Sequence, residues 1–299
     1  MKILIQLLII CISVTSQAKL VEHIQTPSFL EIESKINKVM KQNSWHKEDV
    51  LLVFDIDNTL LKTNQDLGGD AWFTWQESLL KDENANELHK VAGNFGDLLK
   101  VQGQLFALSN MTPPEVDQVD LIKRLQKRGD NLLLTSRGYT YRNSTERELK
   151  RNGYSFNNLD SSIAGSKGFP GTYLPYDIEN PELSGLTDKD LELVKERKAR
   201  PVTYMDGLYM TAGQHKGVML KLLLNKLEAS QYKVIFFIDD HKRHTDRMAE
   251  AYVSQTESLY TFHYTAMESQ VKAFNESDKL EVINQWKVLN QTMKKIFNN

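Results

Sequence analysis

Runs of apolar residues alternate with segments of helical periodicity along most of the chain. The apolar runs 50–54, 132–134 and 234–238 are typical of strands that are buried on both faces of a parallel sheet. A further strand is predicted over 258–263, and helical spacing predicts helices over 28–41, 112–128, 144–151, 218–227 and 278–296. This alternation predicts an α/β fold with a doubly wound, mainly parallel sheet.

The helix over 112–128 has the clearest boundary signals. Thr112 is suited to the N-cap, two prolines follow it in the first turn, and Glu115 is placed to complete a capping box. Gly129 is expected to end this helix.

Two segments interrupt the alternation. Residues 64–111 predict a helical insertion between the first buried strand and the next, and residues 160–186 are rich in Gly, Pro and Ser. A long segment of that composition is expected to be a functional lid or a disordered loop. In the insertion, Trp72, Phe73 and Trp75 follow a double glycine, and they are interpreted either as the wall of a ligand site or as the insertion's own core.

The first eighteen residues differ from the rest. Lys2 is followed by an apolar stretch and by Ser16-Gln17-Ala18, the pattern of a secretory signal peptide cleaved after Ala18. We therefore expect export to a periplasm or to the outside of the cell, with 19–299 as the mature domain. The single cysteine, Cys11, lies in the leader, so the mature chain is expected to have neither disulfides nor a cysteine nucleophile.

The composition and net charge exclude few classes of protein. The 299 residues are 40% hydrophobic and 25% charged, which is ordinary for a globular protein. A net charge of -2 predicts neither a nucleic-acid partner nor binding to an anionic membrane, and the short leader is not expected to insert stably in a membrane.

The first candidate site residues are Asp55 and Asp57, which follow strand 50–54 and are separated by one residue. Ligands of open α/β sheets bind beyond the carboxyl ends of the strands. Two acids at such a place are costly unless a cation or a proton accompanies them. The alternative interpretation is an acidic surface turn.

Three other strand or helix ends carry candidate partners. Thr135 ends strand 132–134 and is able to bind a phosphoryl oxygen, unless it is an ordinary polar strand end. Lys216 begins a helix, where the macrodipole disfavours a cation, which indicates an anion unless the lysine is simply solvated. Asp239 and Asp240 end strand 234–238 and provide hard oxygen ligands suited to Mg²⁺, with Asp239 the first choice.

The sequence VFDIDNTLL resembles the first motif of the haloacid dehalogenase superfamily, in its acid-phosphatase-like branch. Thr135, Lys216 and the Asp239-Asp240 pair match the later motifs in order. The resemblance implies a Rossmann-like fold with a small helical cap formed by 64–111. It further implies that Asp55 is the nucleophile, that Asp57 transfers a proton, and that Thr135 and Lys216 bind phosphate. The implied Mg²⁺ ligands are Asp55, Asp239, Asp240 and the backbone carbonyl of Asp57.

The resulting prediction is an exported Mg²⁺-dependent phosphomonoesterase that acts on a small molecule or a phosphoprotein. If the insertion aromatics surround an open mouth, aryl phosphates such as phosphotyrosine are favoured. A secreted binding protein without turnover and a phosphotransferase are the alternatives. His241, His244 and Asp246 could instead bind a transition metal, although a polar helix start explains them as well.

Overall fold

The computed structural model describes residues 20–156, 171–194, 198–253, 255 and 257–297. The predicted signal peptide lies outside these residues. The strands are β1 (Val21–Thr26), β2 (Val50–Phe54), β3 (Lys62–Thr63), β4 (Met111–Thr112), β5 (Asp130–Thr135), β6 (Thr203–Met205), β7 (Leu208–Met210), β8 (Val234–Asp239) and β9 (Ser258–Tyr264). The helices are α1 (Phe29–Asn43), α2 (Asp70–Lys81), α3 (Phe95–Leu108), α4 (Gln118–Leu125), α5 (Arg142–Arg151), α6 (Asp188–Val194), α7 (Lys216–Lys226), α8 (Lys242–Tyr252), α9 (Glu268–Glu276) and α10 (Leu280–Phe297).

Seven strands form one sheet in the order β1-β9-β8-β2-β5-β7-β6. All neighbouring pairs are parallel except β6 and β7, which form an antiparallel hairpin at one edge. The chain passes from β2 to β5 on one side, and β8 later pairs with the other side of β2. Sheets of this kind bind ligands where the strand order reverses, so the carboxyl end of β2 is the expected position of a site.

Both faces of the sheet are covered by apolar contacts. Alternate residues of β2 face opposite sides, with Val50, Leu52 and Phe54 in one cluster and Leu51 and Val53 in the other. The first cluster includes apolar residues of α1, α4 and α5, and the second includes those of α6, α7 and α8. The predicted α/β class with a doubly wound, mainly parallel sheet is therefore present.

The helical insertion leaves the sheet domain through a narrow neck. β3 and β4 pair in antiparallel orientation at its two ends, with Lys62 opposite Thr112. Between them, α2 and α3 share an apolar cluster with the C-terminal helices α9 and α10. Trp75 packs edge-on against Phe274 of α9, with ring centroids 6.3 Å apart. The C-terminal helices thus support the insertion from one side.

The predicted start of the helix over 112–128 is wrong, since α4 begins at Gln118. Thr112 belongs to β4, and its hydroxyl donates to Asn64 Oδ1 at 2.7 Å instead of capping a helix. The Glu115 carboxylate accepts from the backbone N–H of Phe29 at 2.9 Å and from the hydroxyl of Tyr264 at 2.7 Å. These tertiary hydrogen bonds replace the predicted capping box.

The predicted lid over 160–186 is described only from residue 171 onward. In that part Tyr176 and Leu186 are buried in the core cluster that contains α7 and α8, and Tyr173 pairs with Val202 in an isolated bridge. The segment 160–170 lies outside the described residues. No helix within the described ranges is long and apolar enough to cross a membrane.

Candidate active site

Four polar segments meet at the carboxyl edge of the sheet. Asp55 follows β2, Thr135 ends β5 and Asp239 ends β8, so parallel pairing brings these residues to the same edge. Lys216 reaches this edge from the first turn of α7. The structure therefore brings together residues that are far apart in the sequence.

Asp55, Lys216 and Asp239 form a buried ion cluster. Lys216 Nζ lies 2.5 Å from Asp55 Oδ1 and 2.6 Å from Asp239 Oδ2. Burial raises the pKa of Asp55 to about 7, although Lys216 acts in the opposite direction. Burial alone would lower the pKa of Lys216, but the two carboxylates outweigh it and raise the value. Lys216 is only 1% exposed, so it is not a solvated surface lysine.

Asp240 adds a third carboxylate to this cluster. Its ligand atom lies within 4.8 Å of those of Asp55 and Asp239. Its backbone N–H donates to Thr59 Oγ1 at 3.0 Å, whereas its Oδ1 atom is buried without a hydrogen-bond partner among the described residues. Burial raises the pKa of Asp240 well above its ordinary range. A buried carboxylate oxygen without a donor indicates a place for a cation.

Asp57 is paired with Arg137, whereas Asp55 and Asp239 are paired with Lys216. Arg137 Nε donates to Asp57 Oδ2 at 2.9 Å, and its Nη2 donates to Asp57 Oδ1 at 2.8 Å. The remaining Nη1 donates to Thr145 Oγ1 at 2.7 Å, and the guanidinium lies 4.1 Å from the centroid of the Phe106 ring. Arg137 is thus fixed on several sides and holds both carboxylate oxygens of Asp57. The Asp57 side chain keeps 27% of its surface exposed.

Thr135 lies behind the cluster and is fully buried. Its hydroxyl oxygen accepts from the backbone N–H of Arg137 at 3.1 Å, and its carbonyl accepts from Thr211. The next residue, Ser136, lines the cavity described below. Thr135 therefore shapes the turn that presents Ser136 and Arg137.

A second polar group joins the sheet edge to the insertion. His241 Nε2 lies 3.0 Å from Asp70 Oδ2, and Asp70 is the first residue of α2. Burial opposes protonation of His241, but the hydrogen bond with Asp70 and the negative charges of Asp70, Asp239 and Asp240 together outweigh it and raise the pKa of His241 to about 10. His244 Nδ1 lies 3.1 Å from Asp239 Oδ1, and burial lowers the pKa of His244. Asp70, Asp240 and His241 also place ligand atoms within 4.8 Å of one another.

Asp246 does not join these histidines. It pairs with Lys242 on the exposed side of α8, at 2.7 Å. Of the predicted cluster of His241, His244 and Asp246, only the two histidines face the carboxylates.

A cavity of about 1490 Å³ opens above the carboxylates, between the sheet edge and the insertion. Asp55 and Asp57 lie at its floor, and α2 and α3 provide one wall. Aromatic side chains also line it: Phe73, Phe95, Phe106, Tyr139 and Tyr141. The cavity is large enough for a ligand much bigger than a phosphate ion.

The two tryptophans are part of the insertion's core, as the second interpretation of them predicted. Trp72 is 1% exposed in the cluster shared with α9 and α10, and Trp75 packs against the same cluster. Of the three aromatic residues singled out in the sequence, Phe73 alone lines the cavity. The idea that tryptophans surround the mouth is therefore wrong.

The family described as "Protein of unknown function (DUF2608)" matches residues 25–298 of the chain. The chain belongs to this family. No curated protein and no solved structure matches it.

In this DUF2608 protein, sequence patterns did not predict the roles of Arg137 and Asp70. The sequence offered one signal for Arg137, because this residue closely follows the end of a strand, as Asp55 does. Asp70 lies 15 residues after Asp55 in the insertion, and only the fold brings it to His241.

Proposed function

We propose that this protein is an exported Mg²⁺-dependent phosphomonoesterase of the haloacid dehalogenase type, with 64–111 as its cap. The observation that carries the proposal is the buried group of Asp55, Lys216, Asp239 and Asp240 at the floor of a large cavity. A binding protein would gain nothing from like charges held together out of solvent. Export is supported by the leader pattern alone.

The donor set fits a divalent cation. Three carboxylates converge on one ammonium in a buried place, where burial raises the pKa of Asp55 and of Asp240, so a bound cation would stabilise their ionised forms. All the ligand atoms are hard oxygens, the type that Mg²⁺ prefers. Asp55 and Asp240 would hold the ion, together with the backbone carbonyl of Asp57. Asp239 already accepts from Lys216 and from the N–H of His241, so its hydrogen bonds favour Asp240 as the direct ligand.

The bound ion would supply positive charge that offsets the repulsion between a carboxylate and a phosphate ester. Lys216 supplies the second positive charge and keeps one oxygen of Asp55 fixed. The other Asp55 oxygen attacks phosphorus, the bond to the ester oxygen breaks, and an aspartyl-phosphate forms. Ser136 lines the cavity next to Asp55 and Asp57, where its hydroxyl is able to donate to the transferring group.

Asp57 is the candidate proton carrier. In its protonated form it gives the proton to the leaving alcohol. The resulting carboxylate, which Arg137 holds through both oxygens, then takes a proton from the water that attacks the aspartyl-phosphate and returns to the protonated form. Inorganic phosphate and the free Asp55 carboxylate are the products. Arg137 holds Asp57 at the cavity floor, which fixes the direction from which the proton is delivered.

The aryl-phosphate hypothesis now depends on other residues. Trp72 and Trp75 do not reach the cavity, so any stacking of an aromatic leaving group has to come from side chains such as Phe73 and Phe95. Those two rings already contact each other edge-on at 6.2 Å.

Release of phosphate from nitrophenyl phosphate tests the proposed activity. We expect activity with Mg²⁺, loss of it in excess chelator, and recovery when Mg²⁺ is restored. Asp55→Asn should lower kcat by at least about a thousandfold, because the nucleophile is removed. Asp120→Asn is the matched control, since this exposed residue of α4 pairs with Lys123 at 3.4 Å and does not line the cavity. Full activity in chelator, or in Asp55→Asn, would contradict the proposal.

A further inference from the structure

One wall of the cavity carries four basic residues. Lys198, Arg200, Arg243 and Arg247 all line the cavity that has Asp55 at its floor. The carboxylates that line the cavity already have basic partners: Asp55 with Lys216, Asp57 with Arg137, Asp70 with His241 and Glu77 with Lys81. We call Lys198, Arg200, Arg243 and Arg247 the basic wall.

Arg200 of the basic wall is held in a defined position. The buried Gln214 side chain accepts from the backbone N–H of Arg200 at 3.0 Å and donates to its carbonyl at 3.0 Å. The Arg200 guanidinium lies beside Gly213, where a Cβ would be 3.4 Å from Arg200 Nη2, an ordinary van der Waals contact. Gln214 and Gly213 belong to the loop that leads into Lys216. The same loop thus positions a cation at the floor and another on the wall.

Arg243 and Arg247 are placed against helix preferences. They are four residues apart on α8, a spacing at which like charges destabilise a helix. Arg243 also lies in the first turn, where the macrodipole disfavours a cation. Its neighbour Lys242 pairs with Asp246, whereas Arg243 and Lys198 make no hydrogen bond or ion pair with any residue that the structure describes. Arg243 and Lys198 are exposed where they line the cavity, so an anionic ligand is able to reach both.

We propose that the basic wall binds a second anionic group of the substrate, either a phosphate or a carboxylate, while Asp55 attacks the first phosphate. The proposal rests on the proposed phosphomonoesterase activity. Arg binds both kinds of anion through paired N–H groups, and Lys binds them as a point charge. Substrates with two anionic ends are therefore preferred over those with one.

Three substrates with the same six-carbon length test this preference. Glucose 6-phosphate has one anionic group, 6-phosphogluconate adds a carboxylate, and glucose 1,6-bisphosphate adds a phosphate. All three present a phosphate on the same primary alcohol, and identification of the product shows whether this ester or the 1-phosphate of the bisphosphate is cleaved. We expect kcat/KM to be at least about tenfold higher for the two doubly anionic substrates, since hydrogen bonds to charged groups contribute on that scale.

Variants of the basic wall identify the source of the preference. In Arg243→Gln combined with Arg247→Gln, we expect the ratio of kcat/KM values to fall toward one, mainly through a higher KM for the doubly anionic substrates. Lys242→Gln is the matched control, because Lys242 lies on the same helix but does not line the cavity. That variant should keep the wild-type ratio.

Each outcome decides a different point. A larger gain for the bisphosphate than for the phosphogluconate assigns the wall to phosphate, and equal gains assign it to anions in general. Equal kcat/KM values for all three substrates would overturn the inference and leave the phosphatase activity intact. A preference that Lys242→Gln reduces as much as the double variant would also overturn it, since long-range attraction would then be the cause. If nitrophenyl phosphate and all three sugars resist hydrolysis, the proposed function and the inference both fail.

Discussion

At the scale of single residues, Asp55 and Asp57 have different surroundings although one residue separates them. Asp55 is buried against Lys216, and burial raises its pKa. Asp57 is partly exposed and is held through both oxygens by Arg137. Ile56 between them is buried in the core, and both carboxylates line the cavity. Different surroundings allow the two acids to have different roles.

The role proposed for Asp57 predicts a dependence on the leaving group. Asp57→Asn removes the proton donor, so kcat for glucose 6-phosphate should fall by about a hundredfold or more. Nitrophenolate leaves without much help from an acid, and the loss with nitrophenyl phosphate should be about tenfold or less. Steady-state kinetics of Asp57→Asn with both substrates measure this difference. Because the same variant is compared with itself, a loss of folded protein lowers both rates by the same factor. Equal losses would exclude Asp57 as the proton donor.

Sequence patterns could predict the acids of the site and Lys216, but not the partners of Asp57 and His241. Asp55, Asp239 and Thr135 each follow an apolar strand, and parallel strands end at one edge, so their convergence follows from topology. The pair of hydrogen bonds from Arg137 to Asp57 depends on the conformation of the turn after β5. The Asp70–His241 contact depends on where the insertion lies. Neither position is encoded in a local pattern.

At the scale of elements, two errors have different physical causes. The start of α4 was wrong because Glu115 bonds to Phe29 and Tyr264, which are distant in sequence. The β6–β7 hairpin was missed although Asp206-Gly207 is a strong local signal for a tight hairpin turn. Asp206 and Gly207 adopt φ values of 49° and 73°, the left-handed region that such a turn requires. The start of α4 could be predicted only with knowledge of the tertiary contacts, whereas the hairpin could be predicted from the local sequence.

Helix α5 attaches the insertion to the sheet domain through Glu148. Its carboxylate accepts from the backbone N–H of Met111 at 2.7 Å and pairs with Arg151 at 2.6 Å and with Arg147 at 2.9 Å. Arg147 in turn donates to three carbonyls near the end of α3. Burial would raise the pKa of Glu148, but the hydrogen bonds from Arg151 and Met111 outweigh it and lower the value from 4.5.

This attachment predicts a pH-dependent contribution to stability. A lowered pKa in the folded state means that Glu148 stabilises the protein above about pH 4.5, and that this stabilisation is lost as the pH falls through the folded-state value. Glu148→Gln should lower the free energy of unfolding by about 2 kcal/mol at pH 7. The difference from the wild type should shrink by pH 3.

Urea denaturation at the two pH values measures the effect. Glu146→Gln is the control, because Glu146 lies on the same helix and forms an exposed pair with Arg142. Glu146→Gln should lower the free energy of unfolding by less than about 1 kcal/mol. A Glu148→Gln difference that is the same at pH 3 and pH 7 would show that charge at Glu148 does not stabilise the attachment.

At the scale of the whole molecule, the cavity results from how the insertion is held above the sheet edge. The β3–β4 neck, the packing of α2 against α9 and the Asp70–His241 contact fix the insertion from three directions. The cavity is therefore already formed, with acids at its floor and the basic wall at its side. This separation of charge is the reason to expect a substrate whose phosphate reaches the floor while a second anion remains at the wall.

If Asp55 is the nucleophile, it carries the phosphoryl group during turnover. The most direct measurement is to quench the enzyme in acid during turnover of nitrophenyl phosphate, reduce it with borohydride and map the modified residue by mass spectrometry. An aspartyl-phosphate is reduced to the alcohol, so position 55 should be recovered as homoserine in wild-type protein and as unchanged asparagine in Asp55→Asn. Unmodified Asp55 in an enzyme that is turning over, or a phosphoryl group on His241 or His244, would contradict the account.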